Sequence, residues 1–160
     1  MRLIIAAIGK LKDDSDRDIC DRYVKRFTQT GRSIGLGPLE VAELIESKQP
    51  SAEARKNDEA SRLLKITGSP DITIALEVTG QNITSEQLAA LLAKERDGGA
   101  KQAAFLIGGP DGHGASALAQ AKIKLSLSAM TLPHGLARIV LAEQLYRAAT
   151  ILTGHPYHRA

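Results

Sequence analysis

The residues best equipped for chemistry in this 160-residue chain crowd into its last third, in three short segments. The first runs Phe105-Leu106-Ile107-Gly108-Gly109-Pro110-Asp111-Gly112-His113-Gly114, an apolar run that ends in four glycines within seven residues. Glycines at the end of a strand let the backbone turn sharply and let a ligand approach main-chain amides. A phosphate-cradling loop would need a Gly-Lys-Ser/Thr ending, which is missing. Gly112-x-Gly114-x-x-Ala117 fits the relaxed dinucleotide fingerprint, but it starts beyond the strand end. No acidic residue follows about 20 positions later to hold a ribose, because the next after Asp111 is Glu143.

The second segment, Leu125 to His134, reads as a strand followed by a loop of apolar and small residues. Leu127, Met130 and Leu132 offer apolar walls, and the backbone near Ser128 and Thr131 offers hydrogen-bonding groups. That lining suits a flat heterocycle such as adenine. The third segment is the tail, His155-Pro156-Tyr157-His158-Arg159-Ala160. Two histidines without Cys or Asp companions make a poor metal site. An RNA-facing role fits better: Tyr stacks on an unpaired base, Arg grips phosphate or a base edge, and His exchanges a proton near neutral pH.

Apolar runs alternating with helical periodicity must position these segments, which predicts an α/β protein with a mostly parallel sheet. Strands are expected at 3–8, 34–41, 72–78, 103–107 and 123–128, and helices at 16–29, 52–66, 85–95, 116–122 and 135–152. Thr84 with Gln87 fits a capping box, and Gly154 before Pro156 fits a helix end. The last helix carries a wide apolar stripe (Leu136, Ile139, Val140, Leu141, Leu145, Ala148, Leu152), enough for a core on one side and a second subunit on the other. No linker or repeat interrupts the chain, so residues 1–160 are expected to form one domain.

Composition narrows the class without naming it. Hydrophobic residues make up 43% and charged residues 24%, as in an ordinary soluble domain. The single cysteine, Cys20, excludes an internal disulfide and a cysteine-based zinc cluster, and reads as a small apolar filler. The apolar start, Met1 to Ile8, is too short for a signal peptide or a membrane span and runs into charged residues. A cytoplasmic location follows as the expectation. The net charge of +3, with basic residues dispersed, permits a nucleic-acid partner without demanding one.

Together the motifs resemble one family. Leu106-Ile107-Gly108-Gly109-Pro110-x-Gly112, Leu125-Ser126-x-Ser128-x-Met130-Thr131-Leu132-Pro133-His134, Arg138-x-x-Leu141-x-Glu143-Gln144-x-Tyr146-Arg147-Ala148 and His155-Pro156-Tyr157-His158-Arg159 are similar to the ribosomal RNA large subunit methyltransferase H family. Ile74-x-Leu76-Glu77-x-x-Gly80 and the N-terminal strand ending in Gly9-Lys10 also fit, whereas residues 28–60 match no motif. Gly135 stands where that family more often has a bulkier residue or Pro.

The resemblance implies a single SPOUT α/β-knot domain with a C-terminal trefoil knot, an S-adenosylmethionine cofactor and a homodimer. The implied reaction is methylation of N3 of a pseudouridine in 23S rRNA, on an assembled large subunit or ribosome. Carried over by motif, Leu76, Gly108, Leu127, Ser128, Ala129, Met130, Thr131 and Leu132 would hold the cofactor. His158 is the first candidate for the base that takes the N3 proton, with His134 as an alternative. Arg159 would stabilise developing charge, and Tyr157 would orient the base. Two rivals stay open from the residues alone: a nucleotide-dependent oxidoreductase using the Gly112-x-Gly114 match, and a non-catalytic ribosome-associated RNA-binding protein.

Overall fold

Five strands and five α-helices follow one another through the computed structural model, which describes residues 1–159. In chain order they are β1 (Arg2–Ile8), α1 (Asp14–Gly31), β2 (Leu39–Leu44), α2 (Ala52–Thr67), β3 (Ile72–Asn82), α3 (Ser85–Asp97), β4 (Gln102–Ile107), α4 (Ala115–Gln120), β5 (Ile123–Ser126) and α5 (His134–Thr153). All pairings are parallel, in the order β2-β1-β4-β3-β5. A parallel sheet needs cover on both faces, and the two-residue alternation supplies it. Ala6, Ile8, Ala104 and Leu106 pack with Ala60, Leu63 and Ala117 beneath α2 and α4. Ile5, Ala7, Ala103, Phe105 and Ile107 face the other way, into the larger core under α1, α3 and α5. Alanines on β1, β4 and α5 let helices approach the sheet closely, which is how a chain with 3% aromatics fills its interior.

Local signals set the helix ends. The Asp13 and Ser51 side chains accept from Ser15 N and Ala54 N at the starts of α1 and α2. The Thr84–Gln87 capping box forms at α3, and Gly154 closes α5 in the left-handed conformation.

Three expected elements move. Of the strand expected at 34–41, only Leu39 to Val41 lie in β2; Ile34 ends a 3-10 turn, Arg32–Ile34, Gly35 turns, and β2 pairs to β1 from Leu39 onward. Gly35 and Gly37 both adopt positive φ there, which interrupts an extended run. Strand β5 stops at Ser126, so Leu127 and Ser128 belong to the loop. Strand β3 runs on to Asn82, but its register against β5 jumps from Leu76↔Leu125 to Gln81↔Leu125, which bulges residues 77–80 out of the ladder.

The wide stripe of α5 has an explanation within the chain. Helix α5 packs against both α1 and α3, and Ile139, Leu141, Ala142, Leu145, Ala148 and Ala149 are buried between them and the sheet. Two neighbouring helices within the chain cover much of its breadth; Leu136 stays exposed. Cys20 is buried, and burial pushes its thiol up to about 11, so it acts as an inert filler.

Candidate active site

The carboxyl ends of β3, β4 and β5 open into a cavity of about 410 Å³. Open α/β sheets bind ligands at this edge. Its walls are Leu76 with the residues after it, the turn from Gly108 to His113, and the loop from Leu127 to Leu132, closed by His134 and Ala137. Of the eight residues expected to hold a cofactor, Leu76, Gly108, Leu127, Ser128, Met130, Thr131 and Leu132 line it. Ala129 is exposed and lies outside the lining.

The loop after β5 is shaped by its own serines. Ser126 Oγ donates to Ser128 O at 2.9 Å, and Met130 N donates to Ser128 Oγ at 3.0 Å. Short polar side chains that bond nearby backbone fix a turn without a regular ladder. Met130 remains 75% exposed at the mouth.

His113 joins two walls. Its Nε2–H donates to the carbonyl oxygen of Leu76 at 3.0 Å, where β3 leaves its ladder with β4. A carbonyl only accepts, so this bond fixes the tautomer and leaves Nδ1 bare; that atom is buried with no partner among the described residues. Burial pushes the His113 imidazole below its usual range. His134, the first residue of α5, lies against Gly9 at the end of β1, and it too is lowered, first by burial and then by the Arg138 charge. Both imidazoles beside the cavity therefore favour the neutral form.

Helix α2, from the stretch without a motif, frames the glycine turn. Arg55 donates through Nε to Asp111 at 2.7 Å. Glu59 sits behind Gly109, and a Cβ on Gly114 would lie 2.5 Å from Lys56 O. Only glycine lets the turn press so closely on α2. The same packing disposes of the dinucleotide match, because the face of Gly114 is filled by the α2 backbone and α4 has only six residues. Periodicity could have placed Glu59 on the buried face of α2, but it gave no reason to connect that face with residues 50 positions later.

A second frame holds the β1 end. Arg138 is fully buried; it forms an ion pair with Glu43 and donates to Gly9 O at 2.8 Å. Glu43 also accepts from Leu11 N at 2.9 Å. Burial opposes ionisation of Glu43, but the Leu11 N–H and the charges of Arg138 and Arg17 outweigh it and hold the carboxyl below its usual range.

The tail is ordered and lies outside the cavity lining. The Tyr157 hydroxyl donates to Glu143 Oε1 at 2.9 Å, its ring centroid is 4.6 Å from that of Tyr146, and the Arg147 guanidinium lies 4.9 Å from it. Burial and the bonds to Tyr23 and Glu143 push the Tyr157 hydroxyl far up, so it stays protonated. His158 Nε2 is 3.0 Å from Glu86 Oε1 at the start of α3, and its Nδ1 is buried with no partner among the described residues. Arg159 is exposed, and Ala160 lies outside the described residues. The chain thus gathers its expected cofactor residues in one place and its expected catalytic residues in another.

An all-parallel sheet whose cavity is built by the turn after β4 and the loop after β5 has a counterpart among known families. Residues 1–158 match the family model described as Predicted SPOUT methyltransferase, which gives the class. Over 160 residues, all of both chains, the protein is 44% identical to Ribosomal RNA large subunit methyltransferase H of Xanthobacter autotrophicus. It is 45% identical to the protein of that name from Sinorhizobium medicae, again over all of both chains. The chain belongs to the ribosomal RNA large subunit methyltransferase H family of SPOUT methyltransferases. Among solved structures, TrmJ from Z. mobilis shares the fold, with a TM-score of 0.52 and 19% identity over 100% of this chain and 72% of that one.

Proposed function

We propose that this chain transfers a methyl group from S-adenosylmethionine to N3 of a pseudouridine in 23S rRNA. It does so as a single SPOUT domain with a C-terminal trefoil knot, as a homodimer, in the cytoplasm, on the large subunit or the assembled ribosome. One observation carries the reading: residues from three distant segments, Leu76, Gly108 and the 127–132 loop, converge on a single cavity.

The residues present fit an adenosyl group. Leu76, Ile107, Leu127 and Leu132 supply apolar walls, and the loop supplies main-chain groups for the polar edge of a purine. The α2 backbone packed against Gly114 fills the place where the dinucleotide fingerprint would admit a pyrophosphate, which speaks against the oxidoreductase. Leu76, Gly108 and the loop would hold the group, and what it supplies when bound is an activated methyl on a sulfonium sulfur. The residues around it have to align the acceptor with that methyl and exclude water.

The acceptor N3 carries a proton that a base must remove. His113 and His134 are neutral, but the His113 ring already holds Leu76. The tail supplies the base through His158, with Arg159 offsetting charge that develops on the neighbouring carbonyl oxygens and Tyr157 anchoring the segment on α5. A tail docked away from its own cavity serves the other copy's cofactor in a dimer, with the neutral His134 of the cavity lining as the alternative base. Val78 and Met130 are exposed at the cavity mouth, and Leu136 is exposed in the first turn of α5 (58%, 75% and 46%); these residues are the apolar surface for that contact.

Mixing a tail-truncated chain with a chain whose cavity is blocked tests this. Activity recovered in the mixture, with neither parent active, is the expected result; two inactive parents that stay inactive together would refute the shared site. Titration calorimetry with S-adenosylmethionine and with a nicotinamide dinucleotide separates the methyltransferase from the oxidoreductase. Mass spectrometry of rRNA from cells lacking the protein separates it from a non-catalytic RNA-binding protein.

A further inference from the structure

Glu59 is 3% exposed, and its two carboxylate oxygens have different surroundings. Oε1 accepts from Ser47 N at 2.8 Å, which ties the loop after β2 to α2. Oε2 is buried with no partner among the described residues. That bare oxygen points at the back of the cavity wall: a Cβ on Gly109 would lie 2.6 Å from it. Gly109 lines the cavity and has no side chain to intervene.

The neighbouring cations are committed elsewhere. Arg55 is bound to Asp111, and Arg62 bridges Asp58 at 3.1 Å while donating to Ile45 O. Lys56 pairs with Glu53 at 3.0 Å. The imidazoles of His113 and His134 sit on the cavity side and are held toward neutrality by burial. A buried carboxylate without a countercharge is costly unless something positive completes it.

The geometry points to Glu59 as the residue that makes this cavity prefer a cationic sulfonium ligand over the neutral thioether left after transfer. The inference rests on the proposed S-adenosylmethionine site. In the transfer, N3 of the acceptor gives its proton to the base and bonds to the methyl carbon. The carbon–sulfur bond breaks, and its electron pair returns to sulfur. The ligand's sulfur goes from cationic to neutral, so the attraction to Glu59 disappears once the methyl has moved. A charge at this position thus strengthens cofactor binding and eases product release. It does not accelerate the chemical step, since the attraction is strongest before transfer.

The test is calorimetry on Glu59→Gln with two probes, S-adenosylmethionine and S-adenosylhomocysteine. Gln keeps the shape and an oxygen for Ser47 N, and removes the charge. The expected result is a Kd for S-adenosylmethionine raised about fivefold while that for S-adenosylhomocysteine moves less than about twofold. Equal shifts for both ligands, or none, would overturn the inference and leave Glu59 a structural anchor. Ser47→Pro removes the N–H donor and keeps the charge; it is expected to lower the unfolding midpoint and preserve the ratio of the two affinities. If Glu59→Gln does not fold, Glu59→Met gives the same two-ligand comparison in a side chain of similar volume. A wild-type protein that binds neither probe would fail the cofactor reading itself, and only a wild type that binds both equally, or a variant with an unchanged ratio, fails Glu59.

Discussion

The cavity and the tail are built by opposite means. The cavity is framed from behind by buried groups on three elements: Glu59 under Gly109, His113 on the Leu76 carbonyl, and Arg138 on Glu43 and Gly9. The tail is held on α3 and α5 by the exposed Glu86, the partly buried Glu143 and the buried ring of Tyr146. Interactions inside a low-dielectric frame hold one geometry, whereas a docked surface segment separates at modest cost. On the proposed assignment, the frame serves the site for one small ligand, and the docked tail is the segment offered to RNA.

Removing the tail gives the largest expected effect and tests that division directly. A chain ending at Gly154 should lose methylation by about 1,000-fold or more, the scale of a missing base together with its positioning partner. Its affinity for S-adenosylmethionine should stay within about threefold. A truncated chain that turns over normally, in a single-turnover assay on ribosomes, would return the catalytic role to His134.

Next in size is Arg138→Met. Glu43 would be left with Leu11 N and the half-exposed Arg17, and Gly9 O would lose its donor. Breaking a buried pair on one side should cost about 3 kcal/mol in denaturant unfolding. Because the pair braces the β1 end against α5, cofactor affinity should fall too. Loss of stability without loss of affinity would detach this frame from the cavity.

Why was one region more legible than the other? The strands at β1, β3 and β4 and all five helices followed from period and caps, because burial on both faces writes continuous apolar runs and Thr84–Gln87 writes its own start. The expected strand at 34–41 begins only at Leu39, because Gly35 and Gly37 demand a backbone that hydrophobicity does not encode. The cavity loop was legible from small and apolar residues near a strand end. The frame was not: Arg55, Glu59 and Arg138 act through contacts 50 to 130 positions away, and their spacing in the chain carries no trace of them. Nor does composition say where a tail docks; Tyr157 read as a residue waiting for a base, yet it is wedged against Tyr146 with its hydroxyl on Glu143.

A smaller change probes the loop itself. Ser128→Ala removes the acceptor for Met130 N while leaving the cavity walls in place. The loop then samples more conformations before binding, and ordering it again costs affinity. The Kd for S-adenosylmethionine should rise about fivefold, with the maximal single-turnover rate changed less than about twofold. A large drop in rate at saturating cofactor would mean that Ser128 acts on the acceptor and not on the loop.

The smallest effect is a pH dependence of stability confined to the frame. Burial lowers the proton affinity of His113 and His134 in the folded chain, whereas in the unfolded chain both titrate near the ordinary imidazole value of about 6.5. Below that value the unfolded chain binds more protons than the folded one, so stability falls as the pH is lowered. Above it both states are neutral, and the full contribution of the two imidazoles is present. Denaturant unfolding between pH 7.5 and pH 5.5 should therefore show a decline that His113→Leu makes shallower, at the cost of the bond to Leu76 O. Arg159→Ala should leave the slope unchanged, because it alters the exposed tail and neither of the two cavity imidazoles. If instead the tail variant flattens the profile and the cavity variant does not, the division between a rigid pocket and a releasable tail is drawn in the wrong place.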